Sequence, residues 1–280
     1  MLKGMTIFDA KTLLCASVAN PNRESPSPYM HNVGYRHLDI NMVYVAVEPE
    51  PEELPAAISG IRALGFRGCS VSKPFKQRVL DLVDQVDEAA GEIGAINSIL
   101  NDHGRLIGFN TDWIGVCDSI EEQTPLSGKR VVLLGAGGAA RAIAWGLRKR
   151  GAAAVVFNRS LQRAQKLCDD LDVELGGTFE DLDPQMPYEI VVNAVPLGGH
   201  GFEGQMAVPK GFLRRGVVVL DEIMKPKKTA LLQEAERVGA VGIPGIRPLL
   251  LQGAPQFERF TGRKAPLEVM YRALEELLPD

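Results

Sequence analysis

The sequence predicts an α/β fold made of two α/β domains. Three observations carry this expectation. Short β-rich runs alternate with helical patterns along the chain. A glycine-rich turn joins an apolar run to a helical pattern near residue 135, and a helical segment opening near residue 112 separates one alternating series from the next. At 280 residues the chain is long enough for two ordinary domains.

In the first series, residues 13–18 (LLCASV) and 43–47 (VYVAV) read as strands, with helical spacing over 27–38 between them. Residues 51–65 read as a helix ending at Gly65, and 68–72 (GCSVS) as the next strand. The runs 96–102 and 105–110 flank the turn-forming Asp102-His103-Gly104 and predict a hairpin. The second series opens near residue 128 with strand, turn and helix. It continues with a strand over 153–160, a helix over 160–171 with Ser160 as N-cap, and buried strands at 188–194 and 217–221. Two helical patterns, 249–260 and 266–278, close the chain.

A formal net charge of −4, with Lys and Arg dispersed, gives no reason to expect a nucleic-acid partner. The four cysteines, Cys15, Cys69, Cys117 and Cys168, include no C-x-x-C pair, so neither a metal site nor a redox dithiol is expected. Sparse cysteine fits a reducing compartment. The first 18 residues lack an apolar leader and a small-residue cleavage site, and no apolar run reaches membrane-spanning length. The expectation is a cytoplasmic protein without membrane contact, monomeric or homodimeric.

The sharpest local signal is Gly135-Ala136-Gly137-Gly138-Ala139-Ala140, directly after VVLL and opening a helix. Glycines there permit a tight turn and let the backbone approach a pyrophosphate, whose charge a helix N-terminus favours. The plainer alternative is a turn that serves only close helix–strand packing. The next strand decides which dinucleotide. A site for NAD places Asp or Glu about 20 residues on, to accept from the ribose 2′-OH. This chain has Asn158-Arg159-Ser160 instead, with Arg163 one turn into the following helix. A guanidinium pairs with a 2′-phosphate that a carboxylate would repel, so the expected cofactor is NADP.

Several further motifs follow in order. They are Asn20-Pro21 with Ser25-Pro26-Ser27-Pro28, Ser70-Val71-Ser72-Lys73-Pro74-Phe75-Lys76, Gly94-Ala95-Ile96-Asn97-Ser98 and Gly108-Phe109-Asn110-Thr111-Asp112. Asn193-Ala194-Val195-Pro196-Leu197-Gly198 and Gln252 within LLLQGAPQFERF complete the set. In order and spacing these segments resemble the shikimate dehydrogenase family over nearly the full length. The resemblance implies a discontinuous substrate-binding domain, residues 1–112 with 246–280, around a Rossmann-like NADP-binding domain, residues 113–245, with the active site in the cleft between. It implies interconversion of shikimate and 3-dehydroshikimate, with Lys76 and Asp112 as the proton-transfer pair. It also implies that Ser25 and Ser27 bind the substrate carboxylate and that Ser72, Asn97 and Gln252 hold ring hydroxyls. Asn193, Ala194 and Val195 would join Gly135, Ala136, Gly137, Gly138, Ala139, Asn158, Arg159, Ser160 and Arg163 at the cofactor.

Loss of a hydride from a carbinol requires a group that takes the hydroxyl proton, and a lysine oriented by a carboxylate can do so. Taken singly, Lys76 reads more readily as a solvated helix start and Asp112 as a helix N-cap, and only the combined motif match reverses that reading. The chain also departs from the family pattern around the acid-binding groups. Glu24 stands where His is frequent, Ser70 where Asn is usual, and Lys73 where a small apolar residue precedes the proline. Met224 stands in place of a Tyr, and Arg247 lies within an altered G-x-x-M segment. The positive charges of Lys73 and Arg247 are expected to replace the missing Tyr contact. Two alternatives follow: a dehydrogenase of quinate or another shikimate-like cyclic acid, or a weakly catalytic paralogue that binds NADP and a cyclic acid.

Overall fold

The computed structural model of the protein describes residues 8–278. The first seven residues of the stretch expected to lack a leader, and the last two of the expected substrate domain, lie outside it. The described chain divides into two units. One runs to Thr111 and takes up Gly253–Leu277; the other is Asp112–Gln252 with residue 278.

The first unit is built on a six-stranded sheet. Its strands are β1 (Leu13–Val18), β2 (Met42–Val47), β3 (Gly68–Val71), β4 (Gln85–Val86), β5 (Ser98–Asp102) and β6 (Arg105–Phe109), in the order β2-β1-β3-β5-β6-β4. β1 pairs in parallel with β2 and β3, while β5 pairs antiparallel with β3 and β6. The β5–β6 hairpin turns at His103 and Gly104, both with positive φ. Helices α1 (Ser27–His37), α2 (Leu54–Ala63) and α3 (Glu88–Ile93) belong to this unit. Where a single helix over 51–65 is expected, a 3-10 turn at Pro51–Glu53 precedes α2, and Pro55 sits in its first turn. Proline is tolerated there because that N–H has no intrahelical partner. Leu54, Ile58 and Ile61, at helical spacing, bury one face of α2 against Val18, Cys69, Val71 and Ile99.

The second unit opens with α4 (Asp112–Glu121) and holds an all-parallel sheet. Its strands are β7 (Arg130–Leu134), β8 (Ala153–Phe157), β9 (Glu174–Gly177), β10 (Ile190–Asn193), β11 (Val218–Asp221) and β12 (Val241–Ile243), ordered β12-β11-β10-β7-β8-β9. Numbered within this sheet, that is the 6-5-4-1-2-3 order of doubly wound dinucleotide-binding domains. α5 (Gly138–Lys149), α6 (Leu161–Leu171) and α7 (Ala230–Val238) connect the strands. Strands covered on both faces must be apolar throughout, and Val131 to Leu134 and Ile190 to Val192 are fully buried. The order reverses between β7 and β10, and such a switch point opens a crevice at the carboxyl ends of the two strands. α8 (Ile246–Thr261) contributes residues to both units, and α9 (Leu267–Leu277) belongs to the first. No described helix is long and apolar enough to cross a membrane.

Candidate active site

The switch point of the second unit is occupied by the glycine-rich turn. Gly135 follows β7 with φ +127, and a Cβ there would lie 3.0 Å from the Ala194 carbonyl oxygen and 3.2 Å from Val195 Cγ1. Only glycine meets both demands. Its N–H donates to the Phe157 carbonyl at 2.8 Å, which ties the turn to β8. Gly137 differs: it is exposed and extended, with φ −90, and a Cβ there would meet nothing within 4 Å. The fold itself therefore does not require glycine at 137, whereas a ligand approaching the backbone there would. Gly137 is also the N-cap of α5 and supplies no side-chain cap, so the first N–H groups of α5 suit an anion. Ala136, Gly138 and Ala139 are half-buried along the same turn.

At the end of β8, the Asn158 side chain donates to the Ser160 carbonyl at 2.9 Å, and Ser160 caps α6 by accepting the Arg163 N–H at 3.4 Å. The expected N-cap is thus in place. Arg159 and Arg163 are both exposed, and among the described residues neither guanidinium forms an ion pair. A turn held rigid by Asn158 and Ser160 and carrying two available cations matches the demands of a ribose 2′-phosphate. The residues of this unit fit NADP.

The loop after β10 is held by a network that sequence reading missed. Asn193 donates through Nδ2 to Asp221 Oδ1 at 2.9 Å and to the Leu197 carbonyl at 3.3 Å, and its Oδ1 accepts the Val195 N–H at 3.3 Å. Asp221, fully buried at the end of β11, also accepts from the Thr229 hydroxyl at 2.6 Å and the Ile223 N–H at 3.1 Å. Burial pushes the Asp221 carboxyl above its ordinary pKa, against the pull of these donors. The Asn193 amide therefore shapes the loop that carries Ala194 and Val195. The signal in sequence was the acid closing VVVLD.

In the first unit, hydrogen bonds join four separate segments at the carboxyl ends of β1 and β3. The Ser72 N–H donates to Val18 O at 3.0 Å, Asn20 N–H to Lys73 O at 3.1 Å, Val71 N–H to Asn97 O at 2.7 Å, and Ile96 N–H to Lys76 O at 2.8 Å. Phe75, fully buried, anchors the segment that carries the half-buried Lys76. Asn97, only 2% exposed, donates to Thr111 Oγ1 at 2.9 Å and accepts the Thr111 N–H at 2.9 Å. Thr111 precedes Asp112, the half-buried first residue of α4. Ser72 is exposed, Ser25 half-buried, and Ser27 buried as the first residue of α1. The turn before them is pinned by Asn22, whose amide donates to Ser17 O at 2.8 Å, Ser17 Oγ at 2.9 Å and Val47 O at 2.9 Å.

Within the second unit, Gln252 lies against α4, where its Cβ would be 2.8 Å from a Cβ at Gly115. The departures divide into two kinds. Ser70 accepts the Tyr44 hydroxyl at 2.6 Å. Arg247 is gripped by Glu122, with Nε donating to Oε2 at 2.8 Å and a second, shorter bond beside it. It therefore ties the start of α8 to the residue that follows α4. Glu24 and Lys73 are exposed and Met224 is half-buried.

Three family profiles match the chain. That of the shikimate dehydrogenase substrate binding domain covers residues 18–99, shikimate / quinate 5-dehydrogenase covers 118–195, and the shikimate 5′-dehydrogenase C-terminal domain covers 245–275. A relative named shikimate dehydrogenase (NADP+) from Carboxydothermus hydrogenoformans is 39% identical, the match covering 95% of this chain and 98% of the relative. A crystal structure of a shikimate dehydrogenase in complex with NADP+ superposes with a TM-score of 0.92 at 34% identity, covering 98% of this chain and 99% of that one. The Thermus thermophilus enzyme in complex with NADP(H) and shikimate gives 0.87 at 32% identity, covering 95% and 100%. Fold, motifs and relatives agree: the chain belongs to the shikimate dehydrogenase family.

Proposed function

We propose that the protein is an NADP-dependent oxidoreductase that interconverts shikimate and 3-dehydroshikimate. The observation that carries this reading is the linked set Lys76, Asn97 and Thr111, the last preceding Asp112, in a chain 39% identical to a shikimate dehydrogenase (NADP+). Lys76 takes the proton of the reacting hydroxyl in oxidation and returns it in reduction, and Asp112 orients the lysine. Bound NADP+ supplies the hydride acceptor. Asn97, Ser72 and Gln252 hold ring hydroxyls, and Ser25 and Ser27 hold the carboxylate. Arg159 and Arg163 select the 2′-phosphate, and Gly137 with the α5 N-terminus receives the pyrophosphate.

A second substrate, quinate or a related cyclic acid, is favoured by one observation. Met224, Glu24 and Lys73 depart from the family pattern around the groups that the resemblance assigns to acid recognition, while Lys76 and Asp112 are kept. Initial rates of NADP reduction with shikimate and with quinate decide between them. Faster turnover of shikimate supports the first reading, and faster turnover of quinate the second. NADP binding without turnover of either would overturn both. The four cysteines are buried and unpaired, which suits the cytosol, where we place the enzyme as a monomer or homodimer.

A further inference from the structure

Gln256 lies four residues beyond Gln252 on α8, in the same LLLQGAPQFERF segment, is 2% exposed, and has no role implied by the family resemblance. Its amide nitrogen donates to Ser98 Oγ at 2.8 Å and to Thr111 Oγ1 at 3.3 Å. Ser98, fully buried, donates in turn to Asn97 Oδ1 at 2.8 Å. The direction of this chain is forced. A hydroxyl carries one proton, so an oxygen that receives an N–H from Gln256 turns its own hydrogen to the neighbouring acceptor. Asn97 Oδ1 thus receives Ser98 Oγ–H at 2.8 Å and the Thr111 N–H at 2.9 Å, with the Thr111 hydroxyl beside them at 3.3 Å, so the amide oxygen is fully engaged by donors.

We infer that Gln256 is a positioning residue that fixes Asn97 as a hydrogen-bond donor, so that Asn97 recognises the oxygen lone pair of a substrate hydroxyl through Nδ2. This inference rests on the reading of Asn97 as a substrate contact. An asparagine free to flip would offer donor and acceptor alike. One with its carbonyl engaged by two donors discriminates between ligand groups, since a buried amide facing the wrong partner loses a hydrogen bond and gains none. The surroundings of Gln256 reinforce the arrangement. His31 is fully buried near this amide and stacks on Tyr44 at 4.5 Å between centroids. A neutral imidazole there places no charge beside Gln256.

The test is a cycle of variants read by steady-state kinetics with shikimate and NADP. Gln256→Leu removes the donor, and Gln256→Glu keeps the shape while replacing the donor by an acceptor. Each is expected to lower kcat/KM for shikimate about tenfold, the factor that corresponds to about 1.4 kcal/mol or one hydrogen bond. The loss should fall mainly on KM for shikimate, with KM for NADP unchanged. In an Asn97→Ala background the same Gln256 substitutions should change kcat/KM less than twofold, because the group they orient is gone. Independent, multiplying losses would overturn the inference and leave Gln256 a packing residue. Loss of NADP affinity in step with shikimate affinity would do the same. If Asn97→Ala alone leaves shikimate kinetics unchanged, the substrate contact itself is refuted, which is a separate result.

Discussion

Asn193 and Asp221 stand in register on neighbouring parallel strands, and the amide of one donates to the buried carboxylate of the other at 2.9 Å. That single relationship orders the loop that meets Gly135. Removing the carboxylate strands three donors, those of Asn193, Thr229 and Ile223, at a site without water access. Asp221→Ala is therefore expected to cost about 3 kcal/mol of stability, measurable by urea unfolding, and to raise KM for NADP. A cost below about 1 kcal/mol would contradict the central place given to this network.

Gly135 and Gly137 separate folding from binding. Gly135→Ala forces a side chain into a positive-φ position 3.0 Å from a carbonyl oxygen, and is expected to destabilise the fold. Gly137→Val points into open space. It should leave stability within about 0.5 kcal/mol, as for most surface substitutions, while raising KM for NADP at least about tenfold through a clash with the ligand. Melting curves and cofactor titrations of both variants check the pair. Normal NADP binding by Gly137→Val would remove this turn from the cofactor site.

Arg159→Ala should separate the two dinucleotides. A charged hydrogen bond to the 2′-phosphate contributes about 1.5–3 kcal/mol, so kcat/KM with NADP should fall by about 10- to 100-fold while activity with NAD is unchanged. Equal losses with both cofactors would contradict the assignment.

Much of this was readable in the sequence, for physical reasons. The buried parallel strands are continuous apolar runs, the turns carry Gly or Asp, and Ser160 announces its helix. Other elements were not read. β9 holds two glycines in four residues and β12 is three residues long, so neither shows an apolar run. α7 does carry a readable start and stop, Thr229 as cap and Gly239 beyond its end, but it lies in a stretch that pattern reading leaves without an element. Site residues with a motif could be named in advance. Those that act by hydrogen bonds around the motif, Gln256 and Asn22, could not, because hydrogen bonds between residues such as Ser98 and Gln256 leave no periodic trace.

His31 offers a test through pH. Burial lowers its pKa to about 3, so the folded protein keeps the ring neutral where the unfolded chain, with an ordinary histidine, binds a proton. The unfolded state then holds more protons between about pH 6.5 and 3, and stability falls as pH drops through that window. At pH 5 the loss from this group is about 2 kcal/mol. His31→Phe, which retains a ring to stack on Tyr44, should be free of this contribution. Its thermal midpoint should gain on the unsubstituted protein progressively from pH 7 to pH 5. Parallel curves would show that His31 is protonated in the fold.

Lys76 is proposed to move the proton in hydride transfer. The most direct test is the kcat of Lys76→Ala against the unsubstituted enzyme, with shikimate and NADP both saturating. General acid–base groups contribute about 10²- to 10⁴-fold, mainly in the transition state, so kcat should fall by that factor with KM for shikimate changed far less. A variant that keeps near-normal kcat and loses only KM would make Lys76 a binding group and contradict the account.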